Sequence, residues 1–137
     1  MASAKHTVDL ARLGGEEGIG RWVRRFYDRI GAHPLLAHLF RDLEQAKEKQ
    51  HAYFVEFFGG PRLYSERFGR PFLRYQHRHF RIGQAERDAW MALALASLRE
   101  EIDDGEVLAE VERRLGAIAD AMINHHPEKK DAYYFQS

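Results

Sequence analysis

Cysteine is absent from this 137-residue sequence, and proline occurs only four times. Without cysteine there is no disulfide framework, no thiolate zinc site, no iron–sulfur cluster and no cysteine nucleophile. Neither sign of charge dominates: 21 Lys and Arg face 21 Asp and Glu, so the formal charge is zero. Proteins that hold nucleic acid or membrane headgroups draw on a basic excess, which this composition does not supply. Long apolar runs are missing too. The longest, Trp90 to Ala96, falls far short of the roughly 20 residues of a membrane span. The first ten residues, MASAKHTVDL, hold no signal-peptide core. The expectation is a soluble, cytoplasmic protein with no nucleic-acid and no membrane partner. Strand signals are equally scarce, with no sustained alternation and no Asn-Gly or Asp-Gly hairpin turn.

What is present is helical periodicity. After the glycine-rich break running from Gly14-Gly15 to Gly20, Trp22, Val23, Phe26, Tyr27 and Ile30 mark one face of a helix that stops near Gly31. Leu35, Leu36, Leu39 and Phe40 suit one or two helical turns. A second long helix opens near Asp42, a fitting N-cap, and shows Leu43, Ala46, Tyr53, Phe54, Phe57 and Phe58 on its apolar side until Gly59-Gly60-Pro61 halts it. A third, about Gln84 to Ile102, reads as apolar nearly all round and therefore central. A fourth carries Val107, Leu108, Val111, Leu115, Ile118, Ala119 and Met122 at a 3.6 period and ends by Pro127. The chain reads as all-α, as one domain over 1–137, with a core from about 8 to 126 and a polar, aromatic-ended tail over 127–137. Between the two pairs of long helices lies Gly59 to Gly83, with a turn of helix expected near Tyr64–Arg67. Bundle loops usually span about 2–8 residues, so a stretch of this length points to function.

Three polar side chains sit where the pattern expects apolar ones. Gln50 falls on the apolar side of the second helix, Tyr27 lies beside Phe26 on the buried side of the first, and Trp90 heads the third. A buried amide, phenol or indole needs a hydrogen-bond partner, and an unsatisfied one costs about 1–3 kcal/mol. Either each finds a backbone carbonyl or water, or the three donors converge on one internal point.

The eight histidines are the remaining candidates for metal or acid–base chemistry. His77 and His79 stand in the irregular stretch, between Tyr75 and Phe80. His33 before Pro34 reads as turn chemistry, His38 as surface, and His125-His126 as a helix C-terminal pair relieving the dipole. Glu48 and His51 have Glu-x-x-His spacing, but a carboxylate-bridged di-iron site needs a second copy, which is lacking. There is no His-Glu-x-x-His motif, and Gly14-Gly15-Glu16-Glu17-Gly18 follows no strand, so it is no nucleotide loop. Ten of the fifteen Phe and Tyr residues fall between Phe40 and Phe80. They fit either an aromatic core or the walls around a flat apolar ligand.

Five blocks occur in order: Phe26-Tyr27; Pro34-Leu35-Leu36 with Leu39-Phe40; Gly59-Gly60-Pro61; Leu73-Arg74-x-x-His77-x-x-Phe80-x-Ile82; and Glu86-Arg87-Asp88-Ala89-Trp90. Together with Gly14-Gly15, they resemble the truncated haemoglobins of group II over roughly residues 8 to 126. The resemblance implies a two-over-two helical sandwich, a shortened globin, around haem b. His77 matches the proximal iron ligand. Tyr27 and Trp90 match the distal tyrosine and tryptophan, and Gln50 a distal position that is leucine or glutamine in relatives. Phe40 matches the aromatic that packs on the haem face, Ala46 the small residue where larger globins carry a distal histidine, and Tyr53 another pocket aromatic. Lys49 matches a propionate-pairing base, with Tyr64 and Arg74 also near the propionates. His79 departs from the family, in which proline stands there, and faces either solvent or a propionate.

By this resemblance the protein binds O2 reversibly, and CO, NO or peroxide as further ligands. Three donors in the distal pocket, at about 0.5–1.5 kcal/mol each, would slow oxygen release by roughly one to three decades. That suits sensing, scavenging, NO dioxygenation or peroxide chemistry better than delivery. The alternatives are a peroxidase or NO dioxygenase proper, which needs a reductase partner, and a haem-free helical module that docks through its aromatics. Monomer and homodimer both remain open at this stage.

Overall fold

The computed structural model describes residues 8–126. The tail over 127–137, expected to be polar and aromatic-ended, lies outside the described residues. Among the described residues there is no strand. The six α-helices are α1 (Gly15–Ala32), α2 (Leu43–Phe57), α3 (Leu63–Phe68), α4 (Leu73–Gln76), α5 (Gln84–Arg99) and α6 (Gly105–Met122), with 3₁₀ turns at Ala11–Leu13 and Ala37–Leu39.

The first helix begins earlier than its glycines suggest. Gly14, in the left-handed region at φ 87°, closes the 3₁₀ turn, and α1 starts at the next residue. Gly18 and Gly20 therefore sit inside a helix. A Cβ on Gly18 would come within 2.2 Å of Leu13 O, so only glycine lets the incoming turn pack there. These glycines serve close packing rather than interruption.

Two helix hairpins form the molecule. Gly31 at the end of α1 approaches Leu43 at the start of α2, while His51 late in α2 bonds Glu16 O near the start of α1 at 3.2 Å. The two helices therefore run antiparallel. In the second hairpin Arg87, near the start of α5, reaches Asp120, near the end of α6, at 2.8 Å. Asp42 caps α2 by accepting from Gln45 N at 3.0 Å, and Asp104 caps α6 by accepting from Glu106 N and Val107 N.

The hairpins meet where α1 crosses α5. Trp22 is fully buried, stacks on Phe54 of α2 at 4.5 Å and donates its indole N–H to Ala94 O of α5 at 2.9 Å. Ile19, Phe26 and Ile30 of α1 join Leu98, Val111 and Leu115 in the same core cluster. Each such side chain contributes about 1.5–3 kcal/mol on leaving water. Outside the core, Arg21 and Arg25 clamp Glu101 at 2.8 and 2.7 Å.

Two expectations need correction. The third long helix is not apolar all round: it ends at Arg99, buries Met91, Ala94, Leu95, Ser97 and Leu98, and exposes Ala85 and Ala92. Its many alanines are small enough to face solvent at little cost. Nor do His125 and His126 end a helix, because α6 closes at Ile123. His125 instead turns back, its backbone N–H bonding Ile82 O at 3.0 Å and its ring meeting Arg81 at 2.8 Å.

The long stretch between the hairpins holds only α3 and α4. Gly59, at φ 92°, ends the α2 turn, and a Cβ on Gly60 would lie 2.7 Å from Leu10 Cδ2 and 2.9 Å from Val55 O. Glu56 then anchors α3 by accepting from Ser65 N at 2.8 Å and from its hydroxyl at 2.5 Å. No helix among the described residues is long and apolar enough to cross a membrane.

Candidate functional site

Behind this irregular stretch lies a cavity of about 830 Å³, walled by α1, α2, α4, α5 and α6. Sites for small molecules and cofactors usually measure about 300–1,000 Å³. Tyr27, Phe40, Ala46, Lys49, Gln50, Tyr53, Tyr64, His77 and Trp90 all line it. Arg74, expected near the propionates, does not: it is exposed, on the outward side of α4.

The three misplaced polar groups do converge. The Tyr27 hydroxyl donates to Gln50 Oε1 at 3.1 Å, linking α1 to α2 across the cavity. Burial pushes the Tyr27 phenol well above its ordinary value of 10, so it stays protonated and remains a donor. Trp90 faces them from α5, its ring edge-on to Phe26 at 5.2 Å. Its indole N–H has no acceptor among the described residues. Phe40 bridges the two ends of the cavity, edge-on to Tyr27 at 6.0 Å and to Phe80 at 5.5 Å.

His77 lines the same cavity from the end of α4. Its Nδ1 meets Leu73 O at 2.7 Å, and its ring packs edge-on to Phe80 at 5.3 Å. Burial lowers its pKa below 6.5, while the bond to Leu73 works the other way, so the neutral imidazole prevails. With Nδ1 committed as a donor to a carbonyl, Nε2 is left with its lone pair. That is the arrangement metal-bound histidines adopt.

The remaining expected residues fill the sides. Tyr53 stacks with Phe57 at 5.6 Å and meets Tyr64 edge-on at 5.8 Å. Burial chiefly, with the nearby Glu56 and Tyr64, pushes the Tyr53 phenol up to about 12. Tyr64 donates to Gln76 Oε1 at 3.1 Å, fixing α3 to α4. Lys49 lies at the rim, 5.4 Å from the Phe68 ring. His79 is exposed at the rim, as is His38.

Sequence reasoning missed several residues. Arg41 lies on the rim with Lys49, and neither meets a carboxylate among the described residues. Leu115, Ile118, Ala119 and Met122 of α6 close the far wall. Their period was plain, but nothing local told core from cavity lining. Asn124 is the clearest omission. Its side chain accepts from Ile82 N at 2.8 Å and donates to Phe80 O at 2.7 Å, holding the segment that follows His77. No sequence signal marks it, because its partners lie over forty residues away.

These groups suit a haem. An apolar cavity of the right size has one neutral, oriented imidazole on one wall. It also has an indole donor with no acceptor, and two cations without carboxylates at its mouth, among the described residues. No cluster of three or more His, Asp or Glu among the described residues offers a rival metal site.

The comparisons agree with this geometry. The bacterial-like globin family matches residues 10–127. Group 2 truncated hemoglobin YjbI of Bacillus subtilis (strain 168) is 35% identical over 111 residues, covering 80% of this chain and 84% of that protein. The crystal structure of hemoglobin from the thermophilic phototroph Chloroflexus aurantiacus superposes with a TM-score of 0.80 at 44% identity, over 84% of this chain and 96% of that one. The X-ray structure of truncated oxygen-avid haemoglobin from Bacillus subtilis gives a TM-score of 0.76 at 35% identity, over 80% and 94%.

Proposed function

This chain belongs to the bacterial-like globins, with the two-over-two fold of the truncated haemoglobins, and we propose that it binds haem b through His77 and holds O2 with slow release. Haem, when bound, supplies an iron that takes up a diatomic ligand reversibly. The single observation that carries the reading is that His77, neutral and oriented by Leu73, lines the same cavity as the linked pair Tyr27–Gln50 and Trp90.

Each residue then has a task. His77 keeps its Nδ1 proton on Leu73 O and would offer Nε2 to the iron. Tyr27 spends its hydroxyl proton on Gln50 Oε1, so it positions that amide and leaves the Gln50 NH2 group to donate into the cavity. Trp90 brings a second free N–H. Donors aimed at a ligand that accumulates negative charge stabilise it most when water is excluded. Phe40, Phe80 and Ala46 keep that space apolar, and Lys49 with Arg41 would receive the propionate carboxylates. An oxygen-avid relative of the same fold fits this donor-rich wall. Slow release favours sensing, scavenging, NO dioxygenation or peroxide chemistry over delivery.

The test is a visible spectrum of the purified protein: ferric, dithionite-reduced, and reduced under CO. An intense Soret band that sharpens and shifts with CO is expected. His77→Ala should lose the normal proximal ligation and His79→Ala should keep it. No Soret band after adding hemin overturns the reading.

A further inference from the structure

Several arginines of the surface meet carboxylates. Arg12 meets Asp104, Arg21 and Arg25 meet Glu101, Arg87 meets Asp120, and Arg113 meets Glu110. The stretch from Glu66 to Arg81 is strongly basic, and its Arg67 meets Glu48 at 3.9 Å. It carries five arginines and two histidines against the one carboxylate of Glu66, in a chain whose formal charge is zero. Arg70, Arg74 and Arg78 are exposed, and none of them meets a carboxylate among the described residues.

The same stretch bears the two most exposed large apolar side chains among the described residues, Phe72 at 60% and Tyr75 at 62%. Arg70 lies 5.6 Å from the Phe72 ring, and Arg78 lies 3.7 Å over Tyr75 while donating to Tyr75 O at 2.8 Å. Aromatic side chains ringed by arginine are the composition of interface hot spots. With Arg78 seated on the Tyr75 ring, that face is closed to a stacking base. The patch therefore suits a protein's carboxylates better than a single-stranded nucleic acid, which needs open ring faces. Beneath it the chain runs directly into His77, whose ring lines the cavity.

Resting on the haem reading above, we propose that the Arg70–Phe72–Arg74–Tyr75–Arg78 face docks an acidic one-electron carrier protein that reduces the iron held by His77. One electron leaves the carrier, which is oxidised, and ferric iron becomes ferrous; no atom changes hands. Redox encounters bury less than about 1,200 Å² in total, so a patch of this extent suffices. Charge of opposite sign speeds such encounters by about 10- to 1,000-fold at low salt.

The experiment uses a plant-type ferredoxin as the acidic probe. Calorimetry of the apo and haem-loaded chain against oxidised ferredoxin measures docking. Stopped-flow absorbance with reduced ferredoxin measures electron delivery. Binding is expected in both forms and should weaken as salt rises. The double variant Arg70→Glu/Arg78→Glu should slow ferredoxin-driven reduction at least tenfold at low salt while dithionite reduces it as fast as the wild type. Phe72→Ser should weaken docking with its salt dependence kept. The proposal is overturned if ferredoxin gives no binding heat, or if charge reversal leaves affinity and rate unchanged. It also fails if a DNA oligonucleotide or a phosphatidylserine vesicle binds this face more tightly than ferredoxin. A missing Soret band would sink the haem reading instead, and it shows before ferredoxin is added; the calorimetry on the apo chain still decides the docking.

Discussion

The Tyr27 hydroxyl and Gln50 Oε1 lie 3.1 Å apart, and the phenol is the donor. This one bond divides the labour between two side chains that look equivalent in sequence. Gln50 is the group free to donate into the cavity, and Tyr27 fixes which end of the amide faces it. Gln50→Leu should therefore raise the O2 dissociation rate about threefold to tenfold, the effect of losing one neutral hydrogen bond. Tyr27→Phe should raise it less. The double variant should fall short of the product of the two, and a dissociation-rate cycle by laser photolysis or stopped flow checks it.

Trp90→Phe keeps a ring against Phe26 but removes the indole N–H that has no acceptor among the described residues. O2 release should quicken by about twofold to tenfold, with little change in thermal stability. An unchanged release rate would remove Trp90 from the donor set.

His77→Gly should abolish normal ligation, and added imidazole should restore the Soret and CO-bound spectra by occupying the vacated place. In contrast, His79→Ala should keep both spectra without imidazole, because His79 is exposed at the rim.

The core contact of Trp22 is separable from the site. Trp22→Phe keeps the stack on Phe54 but removes the indole N–H that adds a second bond to Ala94 O beside its helical one, and leaves a gap in the core. Urea unfolding should show a loss of about 1–3 kcal/mol, with the spectrum of the folded fraction unchanged.

Glu101 ties acid stability to the α1–α5 crossing. The Arg21 guanidinium first, and Arg25 with it, holds the Glu101 carboxyl below its ordinary value of 4.5. A carboxyl depressed in the folded state stabilises above its unfolded pKa, and that contribution is lost as pH falls through the folded value. The wild type should thus lose thermal stability as pH drops below about 4.5, and Glu101→Gln should show a shallower loss over the same window. Melting curves from pH 6 to pH 3 make the comparison, and equal slopes would discount the clamp.

Much of the architecture is legible because it rests on near neighbours. Asp42 caps α2 from three residues away, Gly59 halts it, and the spacing of Trp22, Phe26 and Ile30 marks a buried side. The polar intruders Tyr27, Gln50 and Trp90 stand out for the same reason, since each violates a pattern set within its own helix. Reading Gly18 as part of a break went astray because the reason for that glycine, Leu13 O, becomes visible only when the turn is folded against it.

By itself, then, the sequence determined the helices, their stops, the irregular stretch around His77 and the residues too polar for their places. All of these follow from interactions spanning a turn or two of chain. Only the tertiary structure decided that the three donors face one cavity, that Arg41 shares its rim while Arg74 points away, and that Asn124 holds the segment after His77. Those outcomes depend on how α1 crosses α5 and how the segment just after α6 folds back on Ile82. That geometry is set by packing between residues tens of positions apart, which no local pattern encodes.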